Sequence, residues 1–145
     1  MGYRFSGFFI DQSNPEIIES IQTRWLLIKA RPIYSPFSGY GFAFPDHVRC
    51  TSDEGAELIS EEVFTVFKEL PALSTAHPNI TFVWIEADCA GGTCLYSGYG
   101  CINGEVIVNE EKSSSGALGK LLQILNVKLG TDNYFLPFTR NFFWK

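Results

Sequence analysis

Two dipeptides, Gly91-Gly92 and Asn103-Gly104, constrain this chain more than any other feature. Two-residue hairpin turns that match strand twist need positive φ at one or both central positions, which Gly and Asn adopt at least cost. Strand-forming residues flank both dipeptides: 80–89 before the first, 93–102 between them and 105–109 after the second. The pattern predicts a three-stranded antiparallel meander. Turn length also fixes its register. With Gly91 and Gly92 at the tip, Ala90 faces Thr93, Cys89 faces Cys94, Glu86 faces Ser97, Ile85 faces Gly98, Trp84 faces Tyr99 and Phe82 faces Cys101.

Side chains alternate between the faces of a strand. One face of the meander therefore carries Val83, Ile85 and Ala87 beside Gly98 and Gly100. The other carries Phe82, Trp84, Glu86 and Asp88 beside Leu95, Ser97, Tyr99 and Cys101. The same split recurs elsewhere. An aromatic-Ser-Gly-aromatic pattern occurs at 5–8, 37–40 and 96–99, and each copy puts its glycine on one side and its serine on the other. Ser6, Phe8, Ser38, Tyr40 and Phe42 fall opposite Gly7, Gly39 and Gly41. Glycine inside a strand marks a bulge or a close approach by another element. If these strands are neighbours, the sheet has a glycine face and a face of serines and large rings. Two arrangements fit. Helices lie over the glycine face, leaving the ring face open or under the aromatic tail; or the ring face is the core beneath the helices.

The remaining elements complete an α+β pattern. Residues 3–10 read as a strand. Ser13-Asn14-Pro15-Glu16 starts a helix, with Ser13 as cap and Glu16 three positions on as a capping box requires. Ile17, Ile18, Ile21 and Trp25 form its apolar stripe. Strands follow at 26–33 and 37–44, then a polar loop over 46–58 with a short helical turn near 51–56. A second helix begins near Ser60, and Pro71 is expected to kink or end it. A third helix spans 116–129, and six aromatics crowd 134–144. The order βαββαβ matches the start of a ferredoxin-like fold, with strands one and three central, strand four beside strand one, and the hairpin added beyond. The expectation is one antiparallel-rich sheet of about six strands with three helices in a single domain over 1–145, long enough to bury roughly 70% of its unfolded surface.

Charge narrows the partners. Eleven basic residues stand against sixteen acidic ones, a net charge of −5, and no basic run occurs. Nucleic-acid affinity depends on phosphate contacts, so neither DNA nor RNA is expected, and an anionic membrane surface is disfavoured for the same reason. No apolar run approaches a membrane span. The start at Met1-Gly2 formally fits an acylation pattern, and Asn79-Ile80-Thr81 is a formal glycosylation sequon; both read as chance matches in a strand and a turn. With no signal peptide evident, the cytosol is the expected location.

Chemistry is sparse. Cys89 and Cys94, facing each other near the turn, lie within disulfide range. A zinc site joining His47, Cys50, Cys89 and Cys94 is conceivable from ligand type, but nothing in the sequence brings His47 to the hairpin. His47 and His77 are the only histidines; His47 falls in a polar loop cluster with Asp46 and Arg49, and His77 precedes a proline in a turn, so neither reads as a catalytic base. No cofactor or metal is expected. Aromatic residues make up 15% of the chain, and such rings are enriched at interfaces. The leading expectation is therefore a non-enzymatic protein that binds another protein, possessing a basic surface, through Phe82, Trp84, Glu86, Asp88, Tyr99 and Tyr40. The C-terminal aromatic segment offers a homodimer contact or a cover for the sheet. The alternative is a small-molecule or metal-binding protein, or a small enzyme, with its site near Glu86, Asp88 and the Cys89–Cys94 hairpin.

Overall fold

The turn glycines do what the sequence requires of them. Gly91 and Gly92 adopt φ of 59° and 82°, and Asn103 and Gly104 adopt 52° and 79°, so each turn follows the twist of its strands. They connect β4 (Thr81–Ala90), β5 (Thr93–Ile102) and β6 (Glu105–Ser113). The β4–β5 pairing has the expected register throughout, including Cys89 with Cys94, Glu86 with Ser97 and Trp84 with Tyr99. In this computed structural model, residues 3–45, 53–113, 116–128, 135–138 and 142–143 are described.

Upstream lie β1 (Tyr3–Ile10), α1 (Pro15–Arg24), β2 (Lys29–Ile33), β3 (Gly39–Ala43) and α2 (Asp53–Ala76); α3 (Ala117–Gln123) and a single 3-10 turn (Leu136–Phe138) follow the meander. The six strands form one sheet in the order β2-β3-β1-β4-β5-β6, antiparallel at every pairing. The chain is thus α+β, with β1 between β3 and β4 and the hairpin strands carrying the sheet past β4. Both edges are protected against further pairing. β2 carries Pro32 with Lys29 and Arg31, and β6 shifts register twice against β5; prolines, charges and bulges blunt sheet edges.

Both faces of the sheet are covered, by different elements. Phe8, Phe42, Phe82, Trp84, Tyr99 and Cys101 pack with Ile18 and Ile21 of α1, Trp25 just after it, and Val66, Leu70 and Leu73 of α2. Phe5, Phe9, Val83, Ile85 and Ala87 pack with Leu118, Leu121 and Leu122 of α3 and with Phe135 and Phe143. The ring face is therefore the core beneath α1 and α2. Phe82 and Trp84 are 0% exposed and Tyr99 only 6%, which removes them from any outer surface. The reason is complementarity: the apolar stripes of α1 and α2 need a broad apolar platform, and the rings supply it. The glycine face gives α3 and the tail room to approach. A Cβ at Gly41 would press on Phe143, Phe9 and Ile33, and one at Gly100 would overlap Ile124. The described tail residues Phe135 and Phe143 are buried against their own sheet, with Phe138 and Phe142 packed beside them; Trp144 lies outside the described residues.

Three helix expectations need correction. Asn14, not Ser13, caps α1: its Oδ1 accepts from the Glu16 amide at 2.9 Å. Pro15 takes the first helical position, which places the cap one residue later. α2 begins well before Ser60 and passes through Pro71 to Ala76. Pro71 has no N–H, so the Phe67 carbonyl loses its helical donor; the Tyr99 hydroxyl on β5 donates to it instead at 2.5 Å. The Pro71 carbonyl accepts from Ser74 Oγ and Thr75 Oγ1, and Ser74 Oγ accepts from the Gly104 amide at 2.7 Å. These bonds tie the second half of α2 to the meander. α3 is shorter than expected, seven residues. Part of the expected 46–58 loop, 46–52, lies outside the described residues.

Candidate binding cleft

Strand alternation and register together build ordered rows on the face beneath α2. Ser6 pairs with Glu86, and Glu86 with Ser97. One row inward, Phe8, Trp84 and Tyr99 align; one row outward, Arg4, Asp88 and Leu95 align. The surface thus runs from rings, through a carboxylate between two hydroxyls, to a charged row. α2 seals the ring row: Phe67 packs edge-on against Trp84 at 5.8 Å and Tyr99 at 5.3 Å. Over the next two rows the helix stands off the sheet. The space is a cleft of about 720 Å³, roofed by Ile59, Ser60, Val63, Phe64 and Phe67 of α2 and flanked by Phe44, Pro45 and Lys112.

The two carboxylates differ in their partners. Asp88 Oδ1 lies 3.7 Å from Arg4 Nε, and Oδ2 lies 3.3 Å from Lys112 Nζ. These are exposed pairs, worth about 0–1 kcal/mol each, and the two cations outnumber the single Asp88 charge. Glu86 is half-buried and has no hydrogen bond or ion pair among the described residues. Ser6 and Ser97, also half-buried, keep their hydroxyls equally free of protein partners there. Deeper in, burial raises the Tyr99 hydroxyl above its ordinary range and also raises the Cys101 thiol. Tyr99 accordingly remains a protonated donor to Phe67.

Of the residues singled out from sequence, Glu86 and Asp88 line the cleft. Phe82, Trp84 and Tyr99 lie in the core, and Tyr40, half-buried on β3, packs near Phe42 away from it. Sequence reasoning missed Ser6, Arg4, Ser97 and Lys112 as lining residues, along with the α2 roof. A signal for two of them was present: Ser6 and Ser97 are the serines of the first and third aromatic-Ser-Gly-aromatic copies, and they flank Glu86. Ser38, from the second copy, is exposed and takes no part. The glycines share a different role. A Cβ at Gly7, Gly39 or Gly98 would overlap the carbonyl oxygen of Phe42, Ile10 or Trp84 on the adjacent strand.

Cys89 and Cys94 form a disulfide at the hairpin end, with Cα atoms 4.0 Å apart, so their sulfurs are joined to each other and not held as zinc ligands. His47 and Cys50 lie outside the described residues. Among the described residues no group of three or more His, Cys, Asp or Glu side chains could hold a metal ion. No described helix is long and apolar enough to cross a membrane. Compared with known proteins, the chain matches no family model, no curated protein and no solved structure.

Proposed function

We propose that the protein acts by binding, and that it takes a cationic group into the cleft above Glu86. One observation carries this reading: Glu86 is half-buried between two serine hydroxyls with no partner among the described residues, while its neighbour Asp88 has two cations. A ligand ammonium or guanidinium there gains a charge-assisted hydrogen bond without displacing a protein donor. Ser6 and Ser97 add acceptors, and the rings of Phe44, Phe64 and Phe67 line the same space, with Phe64 already holding the Lys68 ammonium over its ring. The cleft volume suits a small ligand. Of the two sequence expectations, this is the ligand-binding one, sited at Glu86 and Asp88.

The protein-binding reading keeps one support. Phe64 and Phe67, which line the cleft, are also exposed along α2, so a basic partner protein would meet apolar contacts beside Glu86. Among the described residues the cleft lining offers Ser6 and Ser97 no histidine as base, which favours binding over catalysis. In a reducing cytosol, the location expected from sequence, Cys89 and Cys94 would stand as two thiols.

Titration with benzylammonium, using benzyl alcohol as the neutral control, tests the reading by amide NMR. The amine should shift Ser6, Glu86 and Ser97 signals, and Glu86→Gln should abolish the shifts. Equal response to the alcohol, or amine shifts that survive in Glu86→Gln, would refute it.

A further inference from the structure

The cleft is electrically dipolar, and we infer that its ligand is a small zwitterion of dipeptide length, with its cation on Glu86 and its carboxylate on Arg4 and Lys112. This rests on the reading that Glu86 takes a cation and adds what occupies the outer end. In the inner row, Glu86 contributes one negative charge that no described residue neutralises. In the outer row, two cations, Arg4 and Lys112, share the single carboxylate of Asp88. That row carries an excess of one positive charge. Both cationic side chains are more than half exposed, so either can swing from Asp88 to a ligand carboxylate at small cost.

Separation decides the size of the ligand. Glu86 and Asp88 are two residues apart on β4, and Arg4 faces Asp88, so the rows lie about 7 Å apart at the usual strand rise. Two residues of extended peptide also span about 7 Å. A lone α-amino acid holds its charges too close to reach both rows. A purely cationic ligand would leave the positive row facing a second cation or nothing. An apolar side chain on the first residue of a dipeptide would meet the aromatic wall contributed by α2.

The test uses three probes on the intact protein by calorimetry: Phe-Gly, its N-acetyl form, and its C-terminal amide. Phe-Gly should bind best, and masking either end should weaken binding about tenfold or more, the scale of one charge-assisted hydrogen bond. In Glu86→Gln, Phe-Gly and its N-acetyl form should become nearly equal. In Arg4→Gln/Lys112→Gln, Phe-Gly and its amide should become nearly equal, with folding intact because both side chains are exposed. If the amide matches Phe-Gly while the N-acetyl form binds weakly, the zwitterion inference fails and the cation reading stands. If the three probes bind alike, or none binds, both fail.

Discussion

Replacing Tyr99 with Phe removes one hydroxyl and nothing else from the core. That hydroxyl donates at 2.5 Å to the Phe67 carbonyl, whose helical donor would be the amide of residue 71, a proline. The ring remains packed against Phe67, so the change isolates the hydrogen bond. Leaving a carbonyl unpaired against the sheet costs about 1–3 kcal/mol. Urea unfolding of Tyr99→Phe should show a loss in that range with the slope unchanged. The decisive comparison adds Pro71→Ala, which restores an N–H able to bond Phe67 within the helix. In that background the same Tyr99→Phe change should cost less than about 0.5 kcal/mol, because the carbonyl then has its own helical partner. An equal cost in both backgrounds would refute the claim that Tyr99 substitutes for the donor Pro71 lacks.

Other outcomes follow from the same geometry. Gly7→Ala should destabilise by about 1–3 kcal/mol by overpacking, since its Cβ would overlap the Phe42 carbonyl, whereas Gly119→Ala in α3 meets open space and should stabilise by about 0.5–1 kcal/mol; thermal melts moving the same way would contradict this. Burial raises the Glu62 carboxyl above its ordinary 4.5, and the Leu27 amide only partly offsets it. Ionising Glu62 therefore costs folding stability once the pH exceeds its folded value, so Glu62→Gln should raise the melting temperature at pH 7, with the gain vanishing below about pH 4.5. Reducing Cys89–Cys94, which are five positions apart, should cost about 2 kcal/mol by loop entropy and leave the sheet folded by far-UV circular dichroism; global unfolding would contradict it.

The meander was readable because its turns are two residues long. Gly91-Gly92 and Asn103-Gly104 leave one choice of register, and alternation then sorts every side chain from 80 to 102 onto a face. Which helix covers which face was not readable. It depends on pairing β1 with both β3 and β4, and local residues do not encode that pairing. The α2 start was hidden because Gly55 weakens helix propensity and the first turns carry few apolar residues to show a stripe, whereas burial of Val66, Leu70 and Leu73 lower in the helix outweighs that weakness. Glu86 and Asp88 stood out as acids on an otherwise apolar strand. Ser6 did not, since its position beside Glu86 exists only after the first strand joins the fourth.

That last pairing has a kinetic consequence. The hairpin β4–β5 is local and can close quickly, placing Ser97 beside Glu86 early in folding. Ser6 and Arg4 arrive only when β1 inserts between β3 and β4, after the long intervening chain has been closed. A hairpin intermediate would hold Glu86 and one serine but lack the other hydroxyl and the Arg4 guanidinium. The complete cleft is therefore a late product of folding, and a ligand that needed all of it would bind the finished sheet in preference to any precursor and shift the folding equilibrium toward the native chain.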